Sequence, residues 1–370
     1  MCKKSLICFE ELAAGARMEL PYGGFIEKRI FKDSHGSSIN ILLISNGLLT
    51  FTVIPERGMD IGEIFLGEEK ITWERGEEYL LHPDNVNLYE NGGWEKGFYA
   101  AVAALGPEIF GTPDEVRTVH GTGSYSKAIL ESISISWDSE QICLKGIVPI
   151  KGYRAEPVYE KSIRILTRYK SSLLVRKDST RNLTGERQPL DDGYHIQLSG
   201  GFVSKGGRYI LPVAVDKMLL RDSAPKEENP FAIYGFSLPL DPIRCYQYVP
   251  EPVNCLEEVK ELHDYSDLIE DSNKITAEMI ISAEKDKAAF VIRPLESFSR
   301  SLIAKRADKT PMYALEPCRT RPNSLKQKAI DGELAYLEPN EQADSWIIIG
   351  ATSSISSILL MEGLIEAAGR

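Results

Sequence analysis

Ile39-Asn-Ile-Leu-Leu-Ile-Ser45 and Leu48-Leu-Thr-Phe-Thr-Val-Ile54 stand on either side of Asn46-Gly47. Both runs are rich in β-branched and large apolar residues, which fit a pleated, half-buried surface. Asn-Gly tolerates the left-handed backbone that a tight reversal needs, so the three pieces read as one β-hairpin. The pattern continues outward. Ile129 to Ser136 alternates with period two, one face to be buried and the other wet. Gln141 to Val148, Tyr159 to Thr167, Ser172 to Lys177, Lys274 to Ser282, Ala288 to Ile292, Ser297 to Ala304 and Ser345 to Gly350 extend it. Short strands divided by Gly, Asn, Asp and Pro indicate an all-β sandwich or barrel and not a parallel α/β sheet. Helical signal is sparse. Its clearest case is Ser353 to Ala368, where Ile355, Ile358, Leu359 and Met361 mark one amphipathic helix.

No Pro/Gly/Ser linker and no internal repeat divides the 370 residues, so one domain with insertions is expected, residues 1–370 with a core at about 35–350. Ser223 to Pro230 and Glu251 to Glu261 concentrate Pro, Glu and Lys and are expected as exposed loops. The formal net charge is -11 and there is no Lys/Arg-rich block, which argues against nucleic acid as a partner. The apolar stretch near the N-terminus ends at Glu10, too early for a signal peptide, and no apolar run is long enough for a membrane span. The six cysteines (Cys2, Cys8, Cys143, Cys245, Cys255 and Cys318) contain no C-x-x-C pair, so reduced thiols and a cytoplasmic location are expected. No G-x-G-x-x-G opens a helix after a strand and no P-loop is present, which disfavours nucleotide enzymes.

Four pieces carry polar groups in unusual places. Pro55-Glu-Arg57-Gly-Met-Asp60 follows directly on a buried strand; it reads as a turn with a local ion pair, or as two side chains turned into a cleft. Val119-His120-Gly-Thr-Gly sets an imidazole beside a flexible glycine loop. Asp191-Asp-Gly-Tyr-His195-Ile-Gln-Leu198 puts a histidine inside a strand pattern, where it is either a satisfied core group or a proton carrier. Tyr313-Ala-Leu-Glu316-Pro-Cys318 puts a carboxylate in an apolar run. Glu316 either faces water on an edge strand or is buried, and burial raises a glutamate toward the pKa range useful for proton transfer. Trp94 and Trp73 offer an apolar platform for a sugar face or simply pack in the core. His35, His82 and His263 read as surface residues.

Taken together, Arg57-Gly-Met-Asp-Ile-Gly62, Gly93-Trp-Glu-Lys-Gly-Phe98, His120-Gly121, Tyr194-His195 and Leu315-Glu-Pro317 resemble the aldose 1-epimerase family, and within it the mutarotase-type, DUF4432-like branch. The resemblance implies a large antiparallel β-sandwich, the galactose mutarotase-like supersandwich, with few short helices and a sugar on its concave face. It implies an isomerase that interconverts the anomers of a free sugar by general acid–base catalysis, without a metal or other cofactor. By the same resemblance Glu316 is the base, His195 the acid, and Arg57 and His120 hold sugar hydroxyls. Asp60 stands in for the family's substrate-gripping aspartate, and Trp94 for an apolar platform.

Two other readings fit the same residues. One uses His120, His195 and Glu316 as a two-histidine, one-carboxylate metal site of a metal-dependent sugar isomerase. The other keeps the cleft but not the turnover, a sugar sensor or binding module, since a fold does not fix a function.

Overall fold

The Asn46-Gly47 reversal forms as its residues dictate. Asn46 Oδ1 accepts from the backbone N–H groups of Leu48 (2.9 Å) and Leu49 (2.8 Å), while Gly47 takes a φ of 88°. Ser38–Ser45 and Leu49–Ile54 pair antiparallel, with Leu42 opposite Val53. The Asn46 side-chain N–H group donates to Thr167 Oγ1 (2.7 Å) and to the carbonyls of Arg168 and Ser171, tying this hairpin to a turn of a second sheet. These observations come from a computed structural model that describes residues 5–90, 92–199, 202–203, 206–221, 229–233, 243–270, 272, 274–306 and 310–370. Cys2 and residues 223–228 of the expected loop Ser223 to Pro230 lie outside the described residues.

Two antiparallel sheets face each other. The twelve-stranded sheet runs from Leu219–Leu220 through Arg244–Tyr248, Arg300–Arg306, Met312–Cys318, Gly193–Ser199 and Val102–Leu105 to Asp60–Leu66, then through the hairpin to Phe25–Lys32 and Arg17–Glu19. The nine-stranded sheet centres on Gln141–Lys151, Pro157–Arg168, Leu173–Asn182, Gln342–Thr352 and Ala288–Pro294. Because strand side chains alternate faces, each sheet offers two apolar surfaces. Ile142, Leu144, Ile163 and Ile165 meet Val102, Ala104, Ile196, Ile303 and Leu315 in the core between the sheets. The all-β sandwich expected from the sequence is therefore present.

The outer face of the nine-stranded sheet, with Val175, Met279, Phe290 and Ile348, packs against the C-terminal helix Ile355–Ala368. Ser354 caps that helix, its side chain accepting from Ser357 N–H. Ile358, Met361 and Ile365 are buried, whereas Ile355 is 58% and Leu359 49% exposed. Leu359 follows Ile358 by one residue and so points away from the stripe, which corrects the apolar face expected from sequence. The strand expected over Ile129 to Ser136 shortens to Ser134–Trp137, because Leu130–Ser132 turns as a 3-10 helix. Ser132 Oγ drives this, donating to the Ile129 carbonyl (2.6 Å) and accepting from Ile147 N–H (2.9 Å). Glu251 to Glu261 is not wholly exposed, since Val253, Leu256 and Val259 reach the cluster beneath the C-terminal helix. No helix among the described residues is long and apolar enough to cross a membrane.

The outer face of the twelve-stranded sheet is packed differently. There Ala103, Ala304, Met312 and Ala314 meet Trp73, Trp94, Phe98 and Phe110. Small residues on the strands opposite large rings leave a hollow, and polar side chains project into it.

Candidate active site

Five neighbouring strands build the floor: β1 (Val102–Leu105), β2 (Gly193–Ser199), β3 (Arg244–Tyr248), β4 (Arg300–Arg306) and β5 (Met312–Cys318). They lie side by side in the order β3, β4, β5, β2, β1. Gly193 pairs with Cys318 and Ile196 with Leu315, a register that sets His195 of β2 opposite Glu316 of β5. His195 Nε2 lies 3.3 Å from Glu316 Oε1. Both side chains open into a cavity of about 220 Å³ walled by Trp73, Trp94, Phe98 and His120. That is below the volume of drug-sized ligand sites and suits one small molecule.

Burial governs the charges. Glu316 is 3% exposed, and loss of water pushes its carboxyl up from 4.5 to about 8, with Arg221 pulling the other way. The same loss of water lowers His195 from 6.5 to about 3, with His120 adding to the fall. His120 is lowered to about 3 by burial, then by the charges of Arg221 and Lys328. Burial thus favours a protonated Glu316 beside two neutral imidazoles at neutral pH.

The tautomer of His195 is fixed from behind. The Gln197 side-chain amide has one end within reach of three carbonyl oxygens, those of Ala100 (2.6 Å), Ala101 (2.9 Å) and His195 (3.0 Å). Only the NH₂ group satisfies three acceptors, so the amide oxygen turns to His195 Nδ1 at 3.3 Å. Nδ1 must then carry a hydrogen, and Nε2 offers its lone pair to Glu316. The Phe98 ring meets the imidazole edge-on at 4.9 Å between centroids and holds its plane.

His120 enters on a strap. Its N–H donates to the Gly111 carbonyl (3.1 Å) and its carbonyl accepts from Gly106 N–H (2.9 Å). The residue sits at a φ of 59°, a left-handed conformation that costs a side chain of order 1 kcal/mol and recurs at functional sites. Its ring lies 4.9 Å from Trp94 and 5.4 Å from Phe110. Phe110 is pinned in turn: Asp191 accepts from its N–H (2.9 Å), from Thr320 and from buried Lys328 (2.6 Å). Three buried polar atoms of the cavity wall, Arg75 Nε, Trp94 Nε1 and His120 Nδ1, have no hydrogen-bond partner among the described residues. Buried polar groups are nearly always satisfied, so a cluster of three around one hollow singles this cavity out as the candidate site.

Glu316, His195, His120 and Trp94 thus share one cavity. Arg57 and Asp60 do not line it. Arg57 Nε donates to the Ser124 carbonyl (2.8 Å) and its guanidinium covers the Tyr125 ring at 4.1 Å. Asp60 accepts from Ala104 N–H (2.9 Å) and Ser124 Oγ (2.5 Å), and lies 3.8 Å from Arg176. The turn between them, with Gly58 at a φ of 60°, aims both at the segment after His120. They brace the strap and do not face the cavity.

Three cavity residues, Arg75, Arg221 and Arg306, escaped the sequence reading, as did Gln197 behind His195. Gln197 was legible, since it lies two residues from His195 on the same strand face. The three arginines look like ordinary surface charges in the sequence. Among the described residues no three His, Cys, Asp or Glu side chains stand where a metal ion would hold them together, so His120, His195 and Glu316 do not form the site of the metal-dependent reading. The five described cysteines are all free thiols.

Residues 36–349 match the sequence family described as Domain of unknown function (DUF4432). No curated protein matches in sequence. Among solved structures, a provisionally named aldose 1-epimerase from Klebsiella pneumoniae aligns over 100% of this chain and 96% of its own, with a TM-score of 0.81 at 16% identity. A galactose mutarotase-like protein from Clostridium acetobutylicum aligns over 89% of this chain and 98% of its own (TM-score 0.59, 16% identity). A galactose 1-epimerase from Lactobacillus acidophilus aligns over 95% and 99% (TM-score 0.51, 9% identity). At these identities the likeness is one of fold.

Proposed function

The chain belongs to the DUF4432 family, and from that premise and the geometry of the cavity we propose a carbohydrate epimerase of the aldose 1-epimerase kind, interconverting the anomers of a free sugar at Glu316 and His195. The observation that carries the proposal is the His195–Glu316 pair, 3.3 Å apart in a small cavity ringed by polar atoms that have no partner among the described residues. Mutarotation needs one group to accept the anomeric hydroxyl's proton and another to protonate the ring oxygen. Both oxygens are bonded to the same carbon, so two groups at this spacing can serve them together.

With Nδ1–H held by Gln197, the pair owns one transferable proton and one vacant acceptor. In the resting form the proton is on Glu316. His195 Nε2 takes the proton of the anomeric hydroxyl while Glu316 gives its own to the ring oxygen. The bond from the anomeric carbon to the ring oxygen breaks as the carbonyl forms. The imidazolium and carboxylate left behind are an ion pair, stabilised by contact in a water-poor cavity. Rotation about the adjacent carbon–carbon bond presents the other carbonyl face. Closure then returns one proton to Glu316 and the other to the anomeric oxygen, and the site is restored. The resemblance makes Glu316 the base and His195 the acid. That assignment starts from the ionised form of the same pair, with the same proton count, and sets Glu316 at the anomeric oxygen and His195 at the ring oxygen, so the two differ in which oxygen each group faces. His120, with its spare nitrogen, and Trp94, with its indole N–H, are the groups placed to hold sugar hydroxyls.

Saturation-transfer NMR on freshly dissolved aldoses tests the proposal. Wild-type protein should exchange the anomers of at least one sugar well above the spontaneous rate, and His195→Asn should lose most of that rate. General acid–base groups are typically worth ~10²–10⁴-fold. A wild type that binds a sugar yet leaves exchange at its spontaneous rate would make the protein a binding module.

A further inference from the structure

We infer that a second hollow binds a neutral sugar ring, with Tyr89 and Tyr153 packing against its face and Glu108 bonding its hydroxyls; the inference does not rest on turnover at Glu316 and His195. The hollow measures about 460 Å³ and lies where a hairpin of the nine-stranded sheet meets the strap that carries His120. Among the described residues it shares no wall with the His195–Glu316 cavity. Ile150, Val158 and Tyr159 of the hairpin Gln141–Lys151 and Pro157–Arg168 line it, and Tyr153 stands on the hairpin's tip. Glu108 and Thr122 line it from the strap.

The rings are built into place and yet left open. Tyr89 is 48% and Tyr153 61% exposed, but the two meet edge to face, 5.3 Å between centroids at 87°. Gly152 N–H donates to the Glu156 carbonyl (2.8 Å) and Ala155 N–H to that of Gly152 (2.9 Å), so the tip that presents Tyr153 is a closed turn. An edge-on pair leaves a ring face free for a flat apolar surface. Glu108 is preorganised as well: its Oε1 accepts from Thr122 N–H (2.6 Å) and Oγ1 (2.7 Å). Its buried Oε2 has no hydrogen-bond partner among the described residues. Burial pushes the Glu108 carboxyl up from 4.5. A hydroxyl both donates and accepts, so it bonds that carboxyl in either protonation state. Charge on the wall disfavours an ion of either sign. An anion would meet Glu108 and Glu156, both of which bear on Tyr89; a cation would meet Arg154 and Arg117, the second of which bears on Glu108. A sugar ring carries C–H faces for the tyrosines and neutral hydroxyls around its edge, which suits a hollow of this mixed lining.

Isothermal titration of the full chain tests this with six probes: the methyl glycosides of glucose, galactose and mannose, whose capped anomeric oxygen cannot exchange, and the disaccharides cellobiose, lactose and mannobiose. At least one should bind, and Tyr153→Ala should weaken it by about fivefold or more, the scale of losing a central aromatic contact. Tyr153→Phe keeps the ring and should bind as wild type does. Glu108→Gln keeps an acceptor for Thr122 but loses the second one, so it should weaken binding severalfold while the melting temperature holds. A methyl glycoside that binds as tightly as its disaccharide assigns a single free sugar, and binding by disaccharides alone assigns a unit of a longer glycan. Tyr153→Ala should leave the anomer exchange of a free sugar at the wild-type rate, so the two sites are read separately. If none of the six binds, or if Tyr153→Ala and Glu108→Gln bind as tightly as wild type, the inference fails while the epimerase reading stands.

Discussion

Glu316→Gln should make the protein more stable at neutral pH while removing its activity. In the folded chain the carboxyl is held at about 8, against an ordinary 4.5. Between those values the folded state retains a proton that the unfolded chain has already released. Stability from this group is therefore complete below pH 4.5 and is lost as pH rises through about 8. Each unit in that window costs about 1.4 kcal/mol, so at pH 7 the accumulated cost is about 3 kcal/mol. Glutamine keeps the shape, can donate to His195 Nε2 as the protonated carboxyl does, and has no proton to lose. For 370 residues the unfolding entropy scales to about 0.8 kcal/mol per kelvin, so the variant should melt about 4 °C above wild type at pH 7. The gap should widen toward pH 8.5 and close at pH 4. Calorimetry of both proteins across that range reads the effect without any sugar. A variant that melts below wild type at pH 8, or by an offset independent of pH, would mean that the carboxylate is ionised and satisfied in the fold.

Gln197→Leu should free His195 to exchange tautomers, because nothing then accepts from Nδ1. The ¹⁵N spectrum of the ring should shift from one protonated Nδ1 to a mixture, and kcat should fall more than KM rises; an unchanged spectrum would remove Gln197 from the mechanism. His120→Asn keeps a residue that tolerates the left-handed backbone, so it should weaken sugar binding while the melting temperature holds; equal affinity would take His120 out of the site. Lys328→Met leaves Asp191 charged and unpaired in the interior and should cost about 3–5 kcal/mol by denaturant titration. Gly58→Ala sets a methyl group 2.3 Å from the Gly123 carbonyl at a φ of 60°, so it should cost about 2 kcal/mol or more, and wild-type stability would show the strap to be slack.

Much of the fold was legible because it rests on period-two burial. Ile163 and Ile165 announce their face by alternation, Leu42 and Ile349 announce buried strands by unbroken apolar runs, and Asn46-Gly47 announces its own turn. Ile129 to Ser136 misled because Ser132 satisfies the backbone locally, which alternation does not register. Glu316, His195, His120 and Trp94 were visible as polar or aromatic groups in places where a strand or glycine turn made them odd. Arg57 and Asp60 were equally odd, and sequence could not say on which side of the strap they fall. Arg75, Arg221 and Arg306 were invisible because a guanidinium at a strand end looks the same whether it meets water or a cavity.

The placement of Arg57 and Asp60 still bears on function. A left-handed His120 is held against its backbone preference only if the segments on both sides of it are over-determined. On one side Gly106 and Gly111 bond to its carbonyl and N–H. On the other, Ser124 is gripped at its carbonyl by Arg57 and at its hydroxyl by Asp60, and Arg176, Asp178 and Tyr194 continue that network into the core. Tyr194 is the residue before His195. The two histidines are thus anchored through one buried polar network, each satisfied member of which restricts its neighbours. Loosening Asp60 should then disturb both imidazoles without touching a sugar. In the proposed mechanism the Arg57-Gly-Met-Asp60 segment is thus a positioning element that fixes where His120 and His195 stand.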